Sequence, residues 1–277
     1  MVIRNPRIEA ALDRSLGRGE SADLLGALEQ NSGLPGPRPN LELGRAVAAR
    51  IAAERGRGDR VVRALLAGSE YPAMVGALAL GARWGAGVDA PGASEILQKL
   101  AEDPRLHIRE AVVHAVRVAL HGRGDRVVDD LASWTDGYLQ AHAALEALAD
   151  RTTLSALHGV GPVFDRFAEA FALADAAPRA ADRSHGVRSL RRGLPNQLAT
   201  LGGRWTEQTM DWITQRTAAQ RPETREVVQG AIDALKKVLS EAEAARLAQA
   251  LAATAPPPRD PSRIVQGTRR RGGGRRR

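Results

Sequence analysis

Five polar residues recur at spacings of three and four along one stretch: His107, Glu110, His114, Arg117 and His121. On a helix that spacing puts all five on one stripe. Three imidazoles, a carboxylate and a guanidinium could ligate a metal, move a proton or grip an acidic partner. The metal reading fails on distance. Successive histidines are two turns apart, about 10 Å along the axis, whereas one ion needs its ligands at about 2 Å. Partners from other helices, such as His142, would have to complete a site. No metal, cofactor or catalytic group is therefore assigned, and an exposed polar face accounts for the same spacing. As a surface, the stripe with His142 is the candidate contact for a protein partner.

Arginine supplies the second kind of chemistry. Lys and Arg total 40 against 32 Asp and Glu, a net charge of +8. The segment from 255 to 277 holds eight Arg and one Asp, and the segment 179–204 holds six Arg and one Asp. The remainder is mildly acidic, at −4. Arg269, Arg270, Arg271, Arg275, Arg276 and Arg277 form two triplets around a Gly spacer. With Arg188, Arg191 and Arg192 they are the candidate contacts for a polyanion such as nucleic acid, held by charge and counterion release without sequence reading. The segment from 255 onward has almost no apolar content and no aromatic residue, so it is expected to be disordered and not to stack on bases. A solubilising tail and a solvated loop are the plainer readings of the two segments. Arg outnumbers Lys by 37 to 3, a bias typical of GC-rich genomes that weakens any functional weight placed on Arg alone.

Two further pairs join an aromatic ring to a carboxylate: Trp134 with Asp136, and Trp212 with Asp211. Such pairs can cap helices and fill space, or work on a nucleobase. No GxxxxGK[ST], HExxH, CxxC or GxSxG motif is present, and there is no cysteine. The first residues lack an apolar signal-like core, and no apolar run reaches the roughly 18 residues needed to span a bilayer. A cytoplasmic protein without membrane contact is the expectation.

The elements that must carry these groups are helices. Aromatics are 3% of the chain, β-branched alternation is scarce, and Ala, Leu and Arg dominate. The chain is also internally repeated. Gly-Arg-Gly-Asp-Arg-Val-Val occurs at 56–62 and again at 122–128. Flanking similarity extends the match, from Leu41–Val47 onto Leu106–Val112 and from Tyr71–Leu78 onto Tyr138–Leu145. The order is the same twice: apolar helix, Gly-containing turn, short helix, tight turn, second apolar helix. Asp59 and Asp125 are expected to cap the short helix. Asn5-Pro6 opens a first helix, Ser21 caps one through Gln30, and Ser94 caps one ending at Asp103 after a loop over 85–93. Ser240 and Glu243 form a capping box opening a last helix that ends near Ala253.

The stretch Asp103-Pro104-Arg105-Leu106-His107-Ile108-Arg109-Glu110-Ala111-Val112 resembles the HEAT repeat, a family of paired helices. Arg221-Pro222-Glu223-Thr224-Arg225-Glu226-Val227-Val228 matches the same turn and helix start, with Ala219 in place of the Asp. The resemblance covers roughly 20–254. It implies an all-α, right-handed α-solenoid of helix pairs at 21–55, 59–84, 94–121, 125–150, 154–177 and 206–239. The basic segment 179–204 would interrupt it as an irregular insert or a bent helix, and the array as a whole would span 1–254. It further implies that Asp103 and Arg109 form a ladder with neighbouring repeats, and that the stripe lies on the concave side. The expected function is a non-catalytic scaffold or adaptor for a protein partner, with nucleic acid or another polyanion held through the 255–277 tail. The alternative is a HEAT-like DNA-binding repair protein of the alkylpurine glycosylase type, using Asp136 or Asp211.

Overall fold

The computed structural model describes residues 2–36 and 38–256. Among them the structure is all-helical, without strands. Fifteen α-helices follow in order: α1 Pro6–Arg18, α2 Ala22–Gln30, α3 Leu41–Ala52, α4 Arg57–Leu66, α5 Glu70–Gly85, α6 Ala90–Leu100, α7 Leu106–Arg123, α8 Asp125–Asp130, α9 Tyr138–Leu148, α10 Arg151–Ser155, α11 Val160–Ala176, α12 His185–Gly202, α13 Thr206–Arg216, α14 Pro222–Leu235 and α15 Glu241–Ala253. Two 3-10 turns, Leu131–Asp136 and Arg179–Ala181, complete the set. Among the described residues, no helix is long and apolar enough to cross a membrane.

The helix ends follow local chemistry in several places. Asn5 Oδ1 accepts from the backbone N–H of Arg7 and Ile8 at the start of α1, and Gly19 closes it in a left-handed conformation at φ 80°. Asn40, Asp150 and Ser184 cap α3, α10 and α12 through their side chains. Ser240 and Glu243 make the expected capping box at α15.

Other ends differ from the expectation. Helices α4 and α8 are preceded by Gly56 and Gly124, and neither Asp59 nor Asp125 caps its own helix. Asp59 instead pairs with the buried guanidinium of Arg83 on α5. Asp125 accepts from the backbone N–H of His158 and Gly159 at 3.1 and 3.0 Å, just ahead of α11. The two aspartates of the repeated peptide therefore tie their helix to a neighbour, each in its own way. Ser21 stands before α2 without a side-chain capping bond and meets Ser15 Oγ at 2.7 Å. Helix α6 starts earlier than expected, behind Asp89 in a left-handed conformation at φ 46° and with Pro91 in its first turn. Ser94 is thereby buried inside α6, where its hydroxyl accepts from Trp134 Nε1 at 3.3 Å.

Packing runs along the chain. Helices α3 and α5, α5 and α7, α7 and α9, α9 and α12, and α12 and α14 pack on one another in turn. The short helix α4 and then α6 lean on α5, while α11 leans on α9 and α13 on α12. Trp84 and Trp134, both fully buried, stack at 6.2 Å between ring centroids. Trp84 also donates to Asp130 Oδ2 at 3.1 Å. Such rings contribute large apolar area, and each indole N–H finds an acceptor. Helices α5 and α7 approach so closely that a Cβ added at Gly81 would overlap the Ala115 backbone.

The turn before α7 and the turn before α14 are built alike. Arg109 Nη1 donates to the carbonyl of Asp103, six residues back, at 2.6 Å. Arg225 Nη1 donates to the carbonyl of Ala219, also six back, at 2.9 Å. It also reaches the carbonyl of Thr217 at 3.0 Å and, through Nη2, that of Leu251 at the end of α15. Arg105 reaches the Gly68 carbonyl after α4 at 3.3 Å, and Arg221 reaches the carbonyls of Asp175 and Ala177 after α11. The expected Asp103–Arg109 ladder is not formed. The Asp103 carboxylate is held by Arg105 at 2.9 Å, so Arg109 turns to main-chain oxygen.

Of the two expectations for 179–204, an irregular insert gives way to a helix over most of its length. Residues 185–202 form α12, with Leu190, Leu194, Leu198 and Leu201 buried. Pro195 sits inside this helix, and Gly230 of α14 lies against its ring. Of the tail 255–277, expected to be disordered, residues 257–277 lie outside the described residues.

Candidate functional site

The stripe on α7 divides into three parts. At its start, His107 Nδ1 meets Glu70 Oε1 at 2.9 Å, and the same oxygen accepts the His107 backbone N–H at 3.2 Å. His107 thus joins α7 to the start of α5. Glu110 is exposed. The last three members, His114, Arg117 and His121, line one hollow.

That hollow has a volume of about 450 Å³. Its floor is Leu78 and Ala82 on α5. One wall is Arg45, Ala48 and Ala49 on α3, and the other is His114, Arg117, Val118 and His121 on α7. Asp150 and Thr152 stand at the α10 side. Arg45 Nη2 crosses from α3 to within 3.2 Å of His114 Nδ1 on α7. Because a guanidinium can only donate, His114 must accept there, with its proton on Nε2. Burial, followed by Arg45 and Arg117, holds the His114 pKa below the ordinary histidine value, against a smaller opposing pull from Asp150. Arg117 donates to the Glu146 carbonyl at 3.0 Å, with the Glu146 carboxylate at 3.7 Å. Asp150 spends its Oδ1 on the backbone N–H of Thr152 and Thr153 and on both threonine hydroxyls. These bonds hold its pKa below the usual carboxylate range, although burial opposes them as the largest single effect.

His142, expected to share this surface, is placed elsewhere. It lies on α9 beneath α12, where a Cβ added at Gly193 would come within 2.9 Å of its ring. The absence of that Cβ is what lets α12 close over it. Its Nδ1 is buried without a partner, and Gln197 on α12 bonds Glu146 Oε2 at 2.9 Å nearby. Burial, chiefly, lowers the His142 pKa, with Glu146 opposing and His185 adding to the effect.

Arg45, Asp150 and Thr152 were not candidates from sequence. A signal existed, since the match of Leu41–Val47 onto Leu106–Val112 sets α3 beside α7 in role and puts Arg45 opposite Glu110. Among the described residues, no group of three or more His, Cys, Asp or Glu could hold a metal ion.

The arginines of α12 also divide. Arg188 and Arg192 are exposed. Arg191 is 12% exposed and engaged, donating to Asp182 Oδ1 at 2.9 Å and to the Ala174 carbonyl at 2.8 Å. It fastens α12 to the end of α11 and is not free to meet a phosphate. Arg204 donates to the Leu157 carbonyl at 3.0 Å. Arg269, Arg270, Arg271, Arg275, Arg276 and Arg277 lie outside the described residues.

Of the two Trp–Asp pairs, only Trp212 with Asp211 borders a common hollow. Trp134 is fully buried against Trp84, while Asp136 is exposed at the end of its 3-10 turn. Trp212 is 5% exposed. Phe171 packs edge-on to it at 5.5 Å, and the Arg216 guanidinium sits 4.2 Å from its ring centre. Neither indole presents a face on which a base could stack. Asp211 is exposed and shares a shallow hollow of about 300 Å³ with Trp212, Asp165, Gln208 and Arg216.

No protein-family model matches the chain, and no curated protein is significantly similar to it.

Proposed function

We propose that this chain is a HEAT-like helical scaffold, with its helices arranged as a right-handed solenoid, that acts by binding a protein partner without catalysis. The observation that carries this reading is the hollow on α3, α5 and α7. It collects guanidinium and imidazole groups over an apolar floor on helices that follow one another in packing, a surface suited to an acidic partner segment. The matched arginine turns before α7 and α14 support the repeat architecture. The Arg-rich tail would add nonspecific attachment to nucleic acid or another polyanion. The covered faces of Trp134 and Trp212 favour this reading over an alkylpurine glycosylase, which must grip a base taken out of the stack.

The test is affinity capture from the native cell with the full chain, alongside a double variant, Arg45→Glu with Arg117→Glu. The expected result is a protein captured by the wild type and lost from the charge-reversed variant. Equal capture by both would remove this surface from the function. Release of a base from an alkylated duplex, abolished by Asp136→Asn or Asp211→Asn, would replace the scaffold reading with the enzymatic one.

A further inference from the structure

Two arginines, Arg45 and Arg117, line the α3–α7 hollow, and they differ in their partners. Arg117 has the Glu146 carboxylate at 3.7 Å. Arg45 forms no ion pair among the described residues and instead points across the α3–α7 hollow at a neutral imidazole nitrogen. The carboxylate in the same hollow, Asp150, makes its hydrogen bonds through Oδ1 to the first turn of α10 and forms no ion pair with Arg45. The charged groups lining the space are Arg45, Arg117 and Asp150, of which Arg117 already faces Glu146. Below them lie Ala48, Ala49, Leu78, Ala82 and Val118, whose small or aliphatic side chains leave about 450 Å³ open. Small-molecule sites commonly fall between about 300 and 1,000 Å³ and pair an apolar lining with a few placed polar groups.

We propose that this hollow is a binding site for a small aliphatic monocarboxylate. Its carboxylate would be held by Arg45, and its hydrocarbon body would lie over Ala49, Ala82 and Leu78. A guanidinium fork matches a carboxylate in two parallel hydrogen bonds. Among the described residues, Arg45 is the one guanidinium lining the hollow without a carboxylate within 4 Å, and its single charge matches a monoanion. His114 stays neutral beside the pair and accepts from Arg45, which fixes the guanidinium plane before the ligand arrives. The short side chains at 48, 49 and 82 set the width of the hydrocarbon track. This site does not depend on the scaffold reading, although it shares Arg45 and Arg117 with that surface.

The probe is sodium octanoate, titrated calorimetrically into the full chain, with acetate and octanol as controls lacking the tail and the charge. Saturable one-to-one binding of octanoate is expected, with both controls weaker by about tenfold or more. Arg45→Gln removes the anchor at an exposed position, and Ala49→Leu fills the track from an exposed position. Each should weaken octanoate by about tenfold or more while leaving the melting temperature near wild type. The His107→Ala variant, outside the hollow, should bind as wild type does. No saturable octanoate binding, or binding unchanged in Arg45→Gln, would overturn the proposal. The latter would place the carboxylate on another arginine cluster. Partner capture in the same preparations separates the two readings. Octanoate binding without a captured partner counts against the scaffold alone, and capture without octanoate binding counts against the ligand alone.

Discussion

Arginine side chains at the two matched turns work through main-chain oxygen. Arg225 collects the carbonyls of Thr217, Ala219 and Leu251, so one guanidinium closes its own turn and the end of α15. Helix C-termini leave carbonyls without partners, and a charged donor satisfies them well. Arg225→Met should cost about 2 kcal/mol in urea unfolding, since several partly buried acceptors lose their donor. A cost below half of that would mean that water replaces the guanidinium. A second residue-scale prediction concerns His142 and His114. Both have folded-state pKa values lowered mainly by burial, so the unfolded chain takes up their protons first. The stability tied to the neutral rings is complete above the ordinary histidine pKa of about 6.5 and falls as pH drops from there through the lower folded values. Unfolding midpoints should decline between pH 7 and pH 5, and His142→Gln should flatten that decline. An equally steep decline in the variant would assign the effect to other groups. At this scale the spacing of Asp103 and Arg109 was legible in the sequence, but the partner was not. Arg105 takes the carboxylate, and nothing in one-dimensional spacing says which of two nearby arginines will win.

Helices were legible where propensity and caps agreed. Asn5-Pro6 and the Ser240–Glu243 box mark the ends they should, and α2, α3 and α5 lie within a few residues of the expected spans. The segment 179–204 misled because Gly193, Pro195 and a run of arginines resemble a break. Burial of four leucines on one face of α12 outweighs the proline, whose cost in a helix interior is about 3 kcal/mol. Gly230 makes room for its ring. Close packing gives the element-scale prediction as a matched pair. Gly81→Ala forces a methyl into the α7 backbone at Ala115 and should destabilise by about 2 kcal/mol. Gly26→Ala, with nothing within 4 Å of the new methyl, should instead stabilise α2 by about 0.5 kcal/mol. The two are compared by thermal unfolding, and a like sign for both would contradict the packing described here.

For the whole molecule, most of the net charge is carried from 255 onward. The +7 carried from 255 onward stands beside a helical body that is close to neutral. Tail-mediated binding of DNA should be steeply salt-dependent, and a 1–254 chain should lose most of both the affinity and the salt slope. Equal slopes for the two chains would move the contact onto the helical body, with the exposed Arg188 and Arg192 the first place to look. The candidate surface was half legible. The α7 stripe could be read from a period of three and four, but the hollow needs Arg45 from a helix more than 60 residues away, and only folding brings that helix alongside.

The arginine clasp has one more consequence. A side chain that grips carbonyl oxygen is indifferent to which residues supply the carbonyl. The segment it holds can change nearly every side chain without loosening the joint, provided a helix still ends there. A helix pair added or removed would need to bring its own turn arginine and no matched partner. Length is then open to change by duplication, and two identical heptapeptides 66 residues apart are the kind of trace such an event leaves.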